Sequence, residues 1–274
     1  MQVLNISSKY GAWKEDIDCI YYEAINSLKE IDEISYADKV IAYHWKGRIL
    51  LTDPRTFIEK IRTLSSIILI NEDDLEQIKK EFGPPPQLSN GLLDTIAYYT
   101  IVTEGIKSYI KREKRVEVPV GPTIFLIPEK ISRLYLDIME KYELKKDDLQ
   151  ALLLYKNPIE IILKIALFHE IGHCVFDNEL ELKNYKHDKY RKIISEGMAN
   201  WFAYCLLNKD GKKVLDIISQ KEPEEYKKYR LFEDYNKDRK KRKKFDLFVR
   251  ACLECNVSKV EEAFKTLTPQ SFRE

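Results

Sequence analysis

The feature that most constrains the fold is the segment 158–176, in which apolar residues occupy nearly every helical face between positions 159 and 168. Asn157, Pro158 and Glu160 supply an N-cap, a first-turn proline and an acid at the capping-box position, so the segment is predicted to be a helix. A helix that is apolar on all sides must be buried within protein. Lys164 interrupts the run well short of the roughly 20 residues that a membrane span requires.

The composition is that of a globular protein. Of 274 residues, 44% are hydrophobic and 33% are charged, which excludes a disordered or collagen-like chain. The formal net charge of +1 provides no overall field that would attract nucleic acid or an anionic membrane. Residues 1–18 contain no apolar signal-peptide core, and five cysteines are too few for a disulfide scaffold. These observations predict a soluble cytoplasmic protein with no membrane partner.

The sequence His169-Glu170-Ile171-Gly172-His173 lies near the end of the apolar helix. On a helix, His169 and His173 project from one face, one turn apart, so their imidazoles can ligate one Zn²⁺ ion. Glu170 points about 100° away and can act on a water molecule without being a ligand. The alternative is that both histidines only satisfy hydrogen bonds in the core. It does not explain why two of the four histidines of the chain fall in this motif.

A zinc site needs a third protein ligand, and Glu196 is the candidate. It lies among apolar residues in a helix predicted over 190–207. A carboxylate in such surroundings is costly to bury unless it is paired or bound to metal, and pairing with a lysine at the edge of the core is the alternative. Asn200 lies one turn later on the same face. Its amide oxygen could accept a hydrogen bond from a ligand imidazole, the alternative being a plain position on the helix surface.

These motifs together resemble a known group of enzymes. A His-Glu-x-x-His motif followed by a glutamate on a second helix is the pattern of the gluzincins, the thermolysin-like zinc metallopeptidases. The phrase that begins at Glu196 and continues through Ala199-Asn200 resembles, more narrowly, that of the ImmA/IrrE-type intracellular metallopeptidases. The resemblance covers residues 158–207. It implies that His169, His173 and Glu196 bind zinc while Glu170 is the catalytic base.

The predicted fold class is α+β, predominantly helical. Pro119 and Pro122 lack the N–H group that an interior strand donates, so a strand over Thr123–Ile127 is predicted at a sheet edge. By the resemblance, this strand lines the substrate cleft of a zincin-like core. A long helix is also predicted over 92–115. The chain divides into a mostly helical N-terminal region (1–115) with a candidate hairpin (39–51), a zincin-like metallopeptidase core (116–208) and a basic helical C-terminal region (209–274).

The predicted activity is hydrolysis of a peptide or protein substrate, in which zinc activates water and Glu170 takes its proton. The oxyanion needs a second electrophile, and His187 is favoured among the polar residues of 178–191, although a solvated loop histidine is the plainer interpretation. The alternative function is a non-proteolytic zincin-fold binding protein. Contact with nucleic acid or a DNA-bound regulator through the basic run 237–244 is a less favoured alternative, supported by four aromatic residues that could stack on bases: Tyr229, Phe232, Tyr235 and Phe245.

Overall fold

The architecture is taken from a computed structural model of the chain. The structure describes residues 1–5, 13–37, 39–46, 48–50, 52–74, 91–103, 107–111, 114–141, 158–176 and 188–268. These residues are mostly helical and carry a small mixed sheet, which confirms the predicted α+β, predominantly helical class. Among them, no helix combines the length and the apolar character that crossing a membrane would require.

Helices account for most of the described chain. They are α1 (Trp13–Lys29), α2 (Arg55–Arg62), α3 (Leu92–Ile96), α4 (Pro128–Lys141), α5 (Pro158–Phe176), α6 (Asp188–Leu206), α7 (Lys209–Lys221), α8 (Glu224–Lys227), α9 (Tyr229–Lys237), α10 (Arg239–Leu253) and α11 (Val257–Leu267). Asn208 caps α7 and Asn256 caps α11, each accepting a hydrogen bond from a backbone N–H three residues later. The starts of these two helices are therefore encoded locally.

The strands of the described residues form one mixed sheet and two smaller antiparallel ones. They are β1 (Gln2–Asn5), β2 (Ile31–Tyr36), β3 (Lys39–Trp45), β4 (Arg48–Leu50), β5 (Ser66–Leu69), β6 (Ala97–Val102), β7 (Lys107–Lys111), β8 (Lys114–Val118) and β9 (Gly121–Leu126). The mixed sheet has the order β1-β5-β9-β6, in which only β6 is antiparallel to its neighbour. β3 and β4 form the hairpin predicted at 39–51, with Trp45 opposite Arg48 at the turn.

The mixed sheet is buried on both faces. Side chains alternate along a strand, so Ile67 and Ile124 join the main apolar core with α5, whereas Ile68 and Phe125 join a second cluster on the opposite face. The Phe125 ring stacks on that of Tyr98, with centroids 4.9 Å apart. The sheet is thus a rigid layer against which α5 packs.

The edge position predicted for the strand at Thr123–Ile127 is wrong. β9 lies inside the mixed sheet, because it pairs with β5 on one side and with β6 on the other. Pro122 is tolerated near the start of β9, where its carbonyl accepts a hydrogen bond from the Ser65 N–H at 2.8 Å, and Pro119 lies outside the strand. β6 contacts α5 and, within the described parts of the chain, has no strand on its outer side.

The long helix predicted over 92–115 is also wrong. Of the described residues in this range, only those of the short α3 are helical, and α3 ends at Ile96, directly before β6. The sequence of β6, Ala-Tyr-Tyr-Thr-Ile-Val, is rich in β-branched and aromatic residues that suit a pleated surface. β6 pairs with β9 from Ala97 opposite Leu126 to Val102 opposite Gly121, so a partner distant in sequence decides its conformation.

α5 and α6 pack against each other at the centre of the molecule. Every residue of α5 from Ile161 to Phe176 is buried except Lys164, as the apolar pattern predicted. Gly172 permits the close approach of the two helices: a Cβ atom at this position would lie 2.7 Å from Ala199 Cα and 2.9 Å from the Ala199 carbonyl oxygen. The spacing of α5 and α6 therefore depends on the absence of a side chain at position 172.

Candidate metal centre

His169 and His173 lie on the face of α5 that meets α6. Both are buried, their Nε2 atoms are 3.1 Å apart, and their rings are perpendicular with centroids separated by 4.6 Å. One helical turn separates the two residues, which is the reason that the rings meet. The pair therefore presents two nitrogen atoms to one point between the helices.

Glu196 projects from α6 towards the same point. Its Oε2 atom lies 3.4 Å from Nε2 of His169 and 3.5 Å from Nε2 of His173. A tetrahedral ion with bonds of about 2.0–2.2 Å holds neighbouring ligand atoms about 3.3–3.5 Å apart. Glu196 is 1% exposed, and no hydrogen bond of acceptable geometry to a described residue satisfies Oε2. A buried carboxylate oxygen in this state is costly, and a bound cation would remove the cost, so the three residues fit a metal ion.

Both imidazoles are oriented by hydrogen bonds to their other ring nitrogen. Nδ1 of His169 donates to Oδ1 of Asn200 at 2.9 Å, while the Asn200 amide nitrogen donates to the Tyr226 carbonyl oxygen at 3.0 Å. The carbonyl contact fixes the orientation of the amide and therefore the tautomer of His169. Ser195 Oγ lies 3.2 Å from Nδ1 of His173. The sequence pointed to Asn200 but missed Ser195, whose signal was a buried hydroxyl next to a candidate ligand.

Asp94 is a fourth member of the group that sequence reasoning missed. Asp94, His169, His173 and Glu196 each offer an atom within 4.8 Å of the others, so this buried group could hold a metal ion. Asp94 belongs to α3, and its Oδ1 lies 3.8 Å from Nε2 of His169. No local motif marks Asp94 in the sequence. The sheet pairing of the following strand, β6, carries it to the site.

The charges of the group favour a cation between the helices. Burial works to lower the pKa of His169, but the carboxylates of Asp94 and Glu196 outweigh it and raise that pKa to about 9. Burial works to raise the pKa of Glu196, yet His173 and His169 outweigh it and hold that pKa well below its ordinary value. The carboxylates thus stabilise positive charge at the nitrogen atoms, and a metal ion would supply it in place of the proton.

Glu170 is buried beside the ligands without being one of them. It is 1% exposed, and its Oε1 has no hydrogen-bond partner among the described residues. Burial raises the pKa of Glu170 to about 7, opposed by the nearby charges of His169 and His173. The site therefore contains a buried carboxylate with one oxygen that no described residue satisfies.

Of the other two histidines, the structure describes only His44, which does not belong to the metal group. His187 lies outside the described residues. His44 lies on β3 of a separate sheet, where its Nδ1 is 3.8 Å from an Asp32 oxygen. Of the remaining polar candidates in 178–191, Tyr190 packs its ring on Phe264, with centroids 5.4 Å apart.

Comparisons with known proteins found no match to this chain. No family model matches the chain. No curated protein and no solved structure matches it either. The assignment of a function therefore depends on the residues of the site.

We expect the protein to bind about one zinc ion per chain. Glu196→Ala should weaken that binding severely, because only the two histidines would remain as ligands from α5 and α6. Zinc content after dialysis against sub-micromolar metal measures the effect. Glu261→Gln is the matched control, because Glu261 is also a buried glutamate but lies on α11, outside the metal group. Full occupancy in Glu196→Ala would place the third ligand elsewhere.

Asn200→Ala should reduce zinc affinity by about 10–100-fold, the usual effect of removing a group that orients a ligand imidazole. Competition with a chromophoric chelator measures the affinity. Asn200→Asp keeps the oxygen that accepts from His169 and should retain more of the affinity than Asn200→Ala. Equal affinities in wild type and Asn200→Ala would show that the hydrogen bond does not orient the ligand.

Proposed function

We propose that this protein is a zinc-dependent peptidase of the gluzincin type. The observation that carries the proposal is the buried Glu170 carboxylate, with an unpartnered oxygen, beside a His-His-Glu group spaced for one metal ion. The donor set of two imidazoles and a carboxylate suits zinc. A site that only stabilised the fold would have no use for an additional buried carboxylate next to its ligands.

Each residue has a role in the proposed reaction. His169, His173 and Glu196 hold the metal, and Asn200 and Ser195 keep the two imidazoles oriented. Zinc supplies Lewis acidity, which lowers the pKa of water and polarises a carbonyl group. Glu170 takes a proton from the attacking water and delivers it to the nitrogen of the leaving amine.

The proposed substrate is a peptide or protein. The role that the sequence assigned to Thr123–Ile127 does not hold, because β9 lies inside the sheet. β6 contacts α5, the helix that carries both histidines, but its residues 97–100 are buried, so it does not offer an open edge to a peptide. The Tyr226 hydroxyl also lies near the metal group, because it donates to Asp94 at 2.6 Å.

A second candidate function is a non-catalytic zinc protein, and Asp94 is the observation in its favour. With Asp94, four protein side chains surround the metal position, which is typical of structural zinc sites.

The nucleic-acid alternative loses part of its basis. Tyr229, Phe232, Tyr235 and Phe245 are each at most 7% exposed, so they cannot stack on bases, although Lys241, Lys243 and Lys244 are exposed.

Hydrolysis of a quenched fluorescent peptide mixture, randomised on both sides of the scissile bond, tests the proposal. We expect cleavage by the zinc-loaded protein, its loss with a zinc chelator and its recovery on addition of zinc. Asp94→Ala is assayed in parallel, because Asp94 lies beside the metal position. The proposal fails if neither protein cleaves any peptide while both contain zinc.

A further inference from the structure

Asp94 differs from the other three members of the metal group in its setting. Its side chain is 22% exposed, whereas the side chains of His169 and Glu196 are at most 1% exposed. Its Oδ1 atom lies 3.8 Å from Nε2 of His169, which is longer than the 3.1–3.5 Å that separates the atoms of the other three. Asp94 therefore lies at the accessible side of a group that is otherwise enclosed by α5 and α6.

Hydrogen bonds from side chains distant in sequence hold α3, the helix that carries Asp94. α3 has five residues, too few to form a stable helix alone. The Glu222 carboxylate accepts from the N–H groups of Leu92 at 2.7 Å and Leu93 at 3.0 Å, so it satisfies two of the free donors at the start of α3. The Tyr226 hydroxyl donates to Oδ2 of Asp94 at 2.6 Å. Glu222, which follows α7, and Tyr226, which lies in α8, thus fix Asp94 beside the metal position.

We propose that Asp94 is a displaceable fourth ligand, which closes the metal site in this conformation and leaves it when α3 withdraws. The proposal rests on the peptidase function proposed above. A catalytic zinc keeps one position for water or substrate, whereas a site with four protein ligands has none. Of the four residues, only Asp94 lies outside α5 and α6, so it can leave the metal position without separating these two helices. The site thus exists in a closed state, with Asp94 bound, and an open state that a substrate can enter.

The closed state has a measurable consequence for any external ligand. If the open state is a fraction f of the population, the apparent affinity for an external ligand falls by the factor f. Removal of the Asp94 carboxylate makes every molecule open. A tenfold gain in affinity for an external ligand in Asp94→Ala therefore corresponds to about 10% open molecules in the wild type.

Titration of the Co²⁺-loaded protein with acetohydroxamate, followed by the visible spectrum of the ion, tests the proposal without an activity assay. We expect Asp94→Ala to retain cobalt and to bind the hydroxamate at least tenfold more tightly than wild type. Tyr226→Phe and Glu222→Ala leave the Asp94 carboxylate in place but release α3. Their affinities for hydroxamate should therefore fall between those of wild type and Asp94→Ala. Asp216→Asn is the matched control, because Asp216 also accepts from a tyrosine hydroxyl, that of Tyr229, but is not in the metal group.

Equal hydroxamate affinities in wild type and Asp94→Ala would overturn the proposal, because the fourth position would then be open already. Loss of cobalt from Asp94→Ala would also overturn it, because Asp94 would be an indispensable ligand of a closed site. The cobalt titration tests the role of Asp94 and the peptide assay tests the peptidase function, so either proposal can fail while the other holds. A tenfold difference in the spectra without hydrolysis by any variant would leave Asp94 as a displaceable ligand and remove the peptidase function. Hydrolysis together with equal hydroxamate affinities in wild type and Asp94→Ala would keep the peptidase function and remove Asp94 as a displaceable ligand.

Discussion

Glu170→Gln should abolish most hydrolysis while the zinc content stays at the wild-type level. The substitution keeps the size of the side chain and an oxygen that can accept a hydrogen bond, but it removes the charge that accepts a proton. We expect the rate to fall by at least about 10²-fold, the usual scale for loss of a positioned general base. Thermal stability should not fall, because burial already disfavours the charged form of Glu170 and the amide is neutral.

The measurement combines the peptide assay, zinc content and thermal melting of the same preparations. Glu160→Gln is the matched control, since Glu160 lies in the first turn of the same helix, away from the metal group. Loss of zinc from Glu170→Gln would show that Glu170 is part of the coordination. Wild-type hydrolysis by a zinc-loaded Glu170→Gln would rule out Glu170 as the general base.

The part of the site that a helix presents could be predicted from sequence. The His169 and His173 pair follows from the spacing of four on one helix, and Glu196 follows from the cost of a carboxylate among apolar neighbours. The sequence gives no comparable reason for Asp94. It reaches the metal group through the packing of α3, which depends on Glu222 and Tyr226, more than 120 residues further along the chain. Contacts of this kind leave no local pattern.

The same distinction between local patterns and distant contacts applies to the fold. α5 was predictable because apolar residues cover nearly every helical face between positions 159 and 168, so the same local pattern indicates both a helix and its burial. Residues 97–115 were predicted as part of a helix, although most of those that the structure describes lie in strands, because β6 pairs with β9 and β7 pairs with β8. Pro122 suggested a sheet edge for β9, yet a proline near the start of a strand removes only a hydrogen bond that the sheet can forgo there. Local rules therefore failed where a partner distant in sequence determined the structure.

Gly172→Ala should destabilise the protein and weaken zinc binding together. The added Cβ would lie 2.7 Å from Ala199 Cα and 2.9 Å from the Ala199 carbonyl oxygen. These are backbone atoms, which cannot rotate away, so α5 and α6 must separate. Overpacking of this kind costs about 1–3 kcal/mol of unfolding free energy. His169 and His173 would move away from Glu196, and a metal site tolerates only about 0.2 Å in its ligand distances, so we expect zinc affinity to fall at least tenfold.

Two further variants show whether helix spacing is the cause. Gly211→Ala on α7 brings its Cβ within 2.9 Å of Leu207 Cδ2 and 3.2 Å of Ile161 Cδ1, which are ends of side chains that can turn. It should leave zinc affinity unchanged. Ala199→Gly should not rescue Gly172→Ala, because the Ala199 atoms that the new Cβ meets belong to the backbone. Denaturant unfolding and chelator competition measure the two effects. Wild-type zinc affinity in a destabilised Gly172→Ala would show that the metal centre does not depend on the close approach of α5 and α6.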